Sequence, residues 1–312
     1  MFSFFKRNKS SQPAPEWTPF SNMDDYKQFI KYVEGYFSRK GLNYTIEGDA
    51  VVVTDTSWKF GQMGLANLAQ VCNQSRRSEW KSIVNRHFDT MQKTSEFDEA
   101  FYRQAHEYSF AAPYIGVRLY PNNYVSYIGE EVVIHRQVAD DLMAILVFDF
   151  DHGVSNIKPE TTIQWNRSNE QLFEIGLANI RQKYAAETVT ERIDDTDIWV
   201  IQGDHFFVAN SVLDAHLQSI PSGAFGSLIG IPHRHAVLAY PISDLGLVNL
   251  LPQFAYIVQG MYGEGPGSIS ESLYWYRDGE LMRLPYTIEE ESFAFTPPQE
   301  FLDIMNELPA AR

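Results

Sequence analysis

The chain has 312 residues, with 40 acidic side chains against 25 basic ones and a formal net charge of −15. That balance excludes a nucleic-acid binder built on a basic stripe and speaks against an anionic membrane surface. A content of 44% hydrophobic and 14% aromatic residues excludes an acidic disordered chain, and a single cysteine, Cys72, excludes an intramolecular disulfide or a multi-thiolate zinc centre.

The charge is unevenly spread. Residues 1–20 sum to +2, residues 21–110 to −1, and residues 111–312, with 11 basic against 27 acidic side chains, to −16. Three segments follow: a flexible basic tail (1–20), a helix-rich module (21–110) and an acidic α+β module (111–312). An acidic face speeds encounter with a basic protein partner. The clusters Asp194, Asp195, Asp197 and Glu289, Glu290, Glu291 are the candidate contacts. At the amino terminus four apolar residues or fewer precede Lys6 and Arg7, the reverse of a secretory signal. The longest apolar run, 142–148, is far short of the roughly 20 residues that span a bilayer. No membrane span and a cytoplasmic location are therefore expected.

Taken in chain order, apolar positions at helical spacing predict a helix over 24–39, and Gly48-Asp49 turns a hairpin over 43–54. Helices follow at 64–73, 78–91 and 97–108. From Pro113 the pattern becomes extended, with strands at 114–120, 124–128, 132–135 and 142–150. Ser168-Asn-Glu-Gln171 is a capping box opening a helix. Strands at 188–193 and 196–202, a helix over 210–220, strands at 226–231 and 235–241, and an apolar helix over 245–262 complete the middle. A hairpin over 272–284 turns at Asp278-Gly279, and Pro297-Pro298 opens a last helix. The expected fold is α+β, with mixed or antiparallel sheets and packed helices. Gly64-Leu-Ala-Asn-Leu68 is echoed at Gly176-Leu-Ala-Asn-Ile180, which raises two related modules.

Four stretches carry a family resemblance: Arg118-Leu-Tyr-Pro121, Asn169-Glu-Gln-Leu-Phe-Glu-Ile-Gly-Leu-Ala-Asn-Ile-Arg181, Gly203-Asp-His-Phe-Phe-Val-Ala-Asn-Ser211 and Ile231-Pro-His-Arg-His-Ala-Val-Leu238. In this order they resemble the YtpQ-like proteins, a bacterial family of unassigned function. The resemblance implies an α+β fold and no particular chemistry. By analogy with families of this kind, it also implies an immunity role beside secreted toxins.

Of the candidate sites, Pro232-His233-Arg234-His235 is the most unusual. On a strand, His233 and His235 share a face and could hold a divalent metal, with a third ligand from Asp204, His205, Asp149, Asp151 or His152. In a turn, the imidazoles would instead bond backbone or carboxylate groups, or meet a ligand. Asp149-Phe-Asp151 after an apolar strand superficially matches a phosphatase nucleophile motif, but Gly153 stands where that motif wants Thr or Val. Asp204 and His205 could pair in a cleft. Cys72, in a helical Gly-Leu-Ala-Asn run, reads as core packing. The chain has no nucleophile elbow, HExxH, phosphate loop or dinucleotide fingerprint. The expected function is a non-enzymatic interaction protein, most concretely an immunity-type inhibitor that neutralises a toxin or effector through its acidic surface. The alternatives are a metal-dependent hydrolase centred on His233 and His235, and a small-ligand scaffold.

Overall fold

The computed structural model describes residues 13–58, 60–151, 153–289 and 292–311. They belong to two units, Met1–Asp98 and Glu99–Arg312. Among the described residues no helix is long and apolar enough to cross a membrane.

In the first unit, the Asn22 side chain accepts the Asp25 amide at 3.0 Å and so caps α1 (Met23–Lys40). Phe29, Val33, Tyr36 and Phe37 line its buried face, and Gly41, at φ +69°, ends it in the left-handed region. β1 (Tyr44–Glu47) and β2 (Ala50–Val53) form the expected hairpin, and β3 (Gln62–Gly64) adds a third antiparallel strand. α2 (Ala66–Asn73) and α3 (Trp80–Tyr102) follow. Their apolar faces join α1 around Phe29, Phe37, Cys72, Trp80 and Phe88, with Phe37 and Phe88 meeting edge to face at 4.7 Å.

In the second unit, α4 (Tyr108–Ala111) leads to β4 (Ile115–Pro121), α5 (Asn122–Ile128), β5 (His135–Ala139), β6 (Leu142–Phe150) and β7 (Gly153–Asn156). These strands form an antiparallel sheet ordered β4-β6-β5, with β7 also on β6. After the single turn α6 (Pro159–Thr162), α7 (Asn169–Lys183) packs on β4. The approach is close: a Cβ on Gly176 would lie 2.9 Å from the Gly116 carbonyl carbon. The Ser168–Gln171 capping box forms as the sequence predicts.

A second, six-stranded antiparallel sheet uses β8 (Glu187–Ile193), β9 (Thr196–Gln202), β10 (Ser227–His233), β11 (Ala236–Pro241), β12 (Leu273–Arg277) and β13 (Glu280–Leu284) in the order β13-β12-β10-β11-β9-β8. α8 (Gly246–Glu264) covers one face. There the period-two alternation of β10 and β11 presents Leu228 and Leu238 to Leu251, Phe254 and Val258. Ile229, Ile231, Val237 and Ala239 face the other way, onto Leu119 and Leu142 of the four-stranded sheet. A small ribbon, β14 (Tyr286–Glu289) with β15 (Ser292–Phe295), and α9 (Gln299–Glu307) close the chain. The fold is α+β with antiparallel sheets, as the sequence implies.

Several expectations are corrected. Residues 124–128 are helix α5, not strand, and Tyr120 and Tyr124 stack across its start at 4.4 Å. The expected 210–220 helix is only a 3₁₀ turn, Val208–Val212, where buried Asn210 donates to the Val117 carbonyl at 2.6 Å. The 97–108 helix is the end of α3, a break, and then α4. The unit boundary falls at residue 98, ahead of the expected 110, because Phe101, Ala105 and Ala111 pack in the second unit's core. The glycine echo is not a structural repeat. Gly64 ends a strand with open space beside its Cα, whereas Gly176 sits mid-helix against β4.

Candidate ligand-binding site

The β10–β11 hairpin turns at Arg234 and His235. His233 therefore ends β10 and His235 lies in the turn, so the two are not alternate positions of one strand. An open cleft of about 850 Å³ lies beside it, lined among others by Lys183, Tyr184, Gly203, His205, His233 and His235. Four of the candidate side chains, Asp204, His205, His233 and His235, thus share one cleft.

The imidazoles are held by hydrogen bonds. His205 donates from Nε2 to the Ala185 carbonyl at 3.0 Å and accepts the Phe207 amide on Nδ1 at 3.2 Å, so its tautomer is fixed. Its ring stacks on Tyr184 at 4.8 Å. His233 Nδ1 accepts the His235 amide at 3.2 Å, and His235 Nε2 accepts from Arg234 Nε at 3.2 Å. Burial keeps all three below the ordinary histidine range. His233 is brought down to about 4, by burial first and then by electrostatic repulsion of its protonated form from the neighbouring His235 and Arg234. These are neutral rings at pH 7. Asp204 is exposed and forms no ion pair with His205; the imidazole bonds backbone instead.

Asp149, near the end of β6, is 6% exposed. Its carboxylate accepts from Lys183 Nζ at 2.7 Å and from the Tyr184 hydroxyl at 2.9 Å, which anchors the cleft wall where α7 ends. Burial opposes the Lys183 charge, yet the Asp149 bond and charge outweigh it and raise the lysine. Asp151 is fully exposed, and His152 lies outside the described residues. Among the described residues no group of three or more His, Cys, Asp or Glu side chains is arranged to hold a metal ion. Both His205 nitrogens would have to leave backbone partners to ligate one.

The acidic clusters lie elsewhere. Asp194 and Asp195 form the β8–β9 turn, at the end of that hairpin opposite the Glu187–Gln202 pair that borders the cleft. Asp194, at φ +49°, accepts from Gln253, and Asp195 lies 3.6 Å from Arg192. Asp197 is exposed. Glu289 ends β14, while Glu290 and Glu291 lie outside the described residues.

One constellation was not apparent from the sequence. Phe206, 37% exposed, has the Arg234 guanidinium carbon 4.5 Å and the Arg118 guanidinium carbon 5.8 Å from its ring centre. Arg118 also lies over Tyr120 at 4.8 Å, and His235 meets Phe206 edge-on at 5.6 Å. The available signals were a lone charge between the buried residues Val117 and Leu119, and an arginine between two histidines.

No protein-family model, curated protein or solved structure matches this chain.

Proposed function

We propose that this chain is a binding protein, and that its recognition site is the cleft bordered by the β10–β11 turn in the second unit. The observation that carries this function is the locking of the cleft's imidazoles by backbone and arginine partners. A general base needs a free lone pair and a pKa near the working pH. These rings sit below that range and each spends an acceptor nitrogen on structure, which suits preorganised recognition better than proton transfer. Three of the four stretches that resemble the YtpQ-like proteins, those beginning at Arg118, Gly203 and Ile231, contribute to this neighbourhood.

The test is equilibrium dialysis of the full chain against a metabolite extract of its native host, beside the variant Ala185→Trp. Ala185 is an exposed rim residue whose enlargement fills the cleft while leaving its carbonyl bonded to His205. The expected result is a compound retained by the wild type and released by A185W. Equal retention by both, or none, contradicts the proposal.

Toxin neutralisation through an acidic face is a second reading, supported by the exposure of Asp194, Asp195 and Asp197 at one turn. It predicts that D194N/D195N/D197N abolishes protection of cells against a neighbouring toxin gene, while A185W leaves protection intact.

A further inference from the structure

Arg118 and Arg234 make an uncommon pair. Both guanidinium groups lie within cation–π range of one ring, Phe206, in a chain whose second part is strongly acidic. Among the described residues neither forms an ion pair with an Asp or Glu. Elsewhere in this unit some arginines do find carboxylates, as Arg181 meets Asp214 at 2.7 Å and Arg283 lies 3.6 Å from Asp141, while Arg136 and Arg167 each lie over a separate ring. Arg118 Nε is fully buried and has no hydrogen-bond partner. Placing one unpartnered guanidinium donor away from water is costly, and placing two like charges beside one ring adds repulsion. Burial first, and Arg118 second, pull Arg234 down to about 10, so it stays charged at neutral pH.

The protein holds this unfavourable pair in place. Gly267, at φ +78°, lets the Arg234 side chain lie against bare backbone, since a Cβ there would come within 2.7 Å of its Nε, Cδ and Cζ. The Arg234 amide donates to the Gly267 carbonyl at 3.0 Å, and its own carbonyl accepts the Ala209 amide. His235 Nε2 takes the Arg234 Nε–H, which orients the fork. On the other side, Tyr124 stacks on Tyr120 at 4.4 Å and accepts from Asn156 at 3.0 Å, fixing the ring beneath Arg118. Two guanidinium forks that, among the described residues, have no carboxylate partner offer the donors that oxyanions accept.

The geometry points to Arg118 and Arg234 as a binding site for a phosphate dianion, the phosphoryl group of a ligand whose remainder occupies the adjoining cleft. Two cations beside one ring match a doubly charged group better than a single carboxylate, and forked guanidinium donors fit tetrahedral oxyanions bidentately. His235, which touches both Phe206 and the cleft, joins the two parts of the site. The assignment rests on the binding function proposed above for the non-phosphate part of the ligand.

The experiment is calorimetric titration of the full chain with inorganic phosphate at constant ionic strength, with acetate in a parallel arm. The variants R118Q, R234Q and R118K are compared, each with its thermal midpoint measured without phosphate. Phosphate should bind the wild type, and acetate at least tenfold more weakly. Each glutamine variant should lose roughly tenfold or more in phosphate affinity, with R118K between them. Without phosphate, R118Q should melt no lower than the wild type, because it removes a repulsive unpaired charge; a purely structural arginine would melt lower on removal. Absence of phosphate binding, equal binding by the glutamine variants, or acetate binding as tight as phosphate overturns the assignment. If phosphate fails while A185W still releases a retained compound, the phosphoryl class falls and the cleft stands. If both fail, neither does.

Discussion

Arg234 rests its guanidinium carbon 4.5 Å from the centre of the Phe206 ring, with Gly267 beside the same side chain. Gly267 leaves no room for a Cβ and has a backbone conformation costly for an L residue. G267A should therefore lower stability by about 1–3 kcal/mol in urea denaturation and weaken phosphate binding at the same time. Wild-type affinity in G267A would mean that the position of Arg234 does not matter to the site.

Acidification should unfold the second unit through its histidines. Burial lowers His205, His233 and His235, with His233 at about 4 against an unfolded value near 6.5. Between those values the unfolded chain binds more protons than the folded one, so stability is full above about pH 6.5 and falls toward pH 4. For His233 the loss is on the order of 1–3 kcal/mol. Urea midpoints measured from pH 7.5 to 4.5 should show this fall, and H233Q should flatten part of it.

The two copies of the Gly-Leu-Ala-Asn run should respond differently to the same change. G176A puts a Cβ 2.9 Å from the backbone of Gly116 and from the Val117 side chain, and should cost about 1–3 kcal/mol. G64A meets open space and should change stability by no more than about 0.5 kcal/mol. Equal losses in thermal denaturation would restore the structural equivalence that the fold denies.

Asp141, in the turn before β6, ties the two sheets of the second unit together. It accepts from Ser272 at 2.7 Å and from the buried Tyr274 hydroxyl at 2.8 Å. D141A leaves that hydroxyl without its carboxylate and should destabilise by about 2–4 kcal/mol. D141N, which keeps an acceptor oxygen, should cost less. Chemical denaturation of both variants checks the order.

Local signals were legible in the sequence, and long-range ones were not. The hairpins at Gly48-Asp49 and Asp278-Gly279 and the Ser168 capping box formed as read, because a few adjacent residues decide them. Residues 124–128 read as strand from their apolar and aromatic pattern. Their helix is supported by Tyr120 stacking and by Asn156, a contact from another strand. The cleft histidines were legible as residue types, but their roles were not, since Ala185 and Arg234 settle which nitrogen is free. The Arg118–Phe206–Arg234 cluster was invisible for the same reason. Its members come from β4, the loop after β9 and the β10–β11 turn, and no sequence spacing relates them.

The most direct measurement is the ¹⁵N–¹H resonance of the arginine side-chain Nε–H groups during a phosphate titration. Binding at the pair should shift the Arg118 and Arg234 signals together, along one saturating curve, while Arg181, already paired with Asp214, stays put. Phosphate-independent Arg118 and Arg234 signals, or a uniform drift of all arginines, would contradict an anion site at this ring.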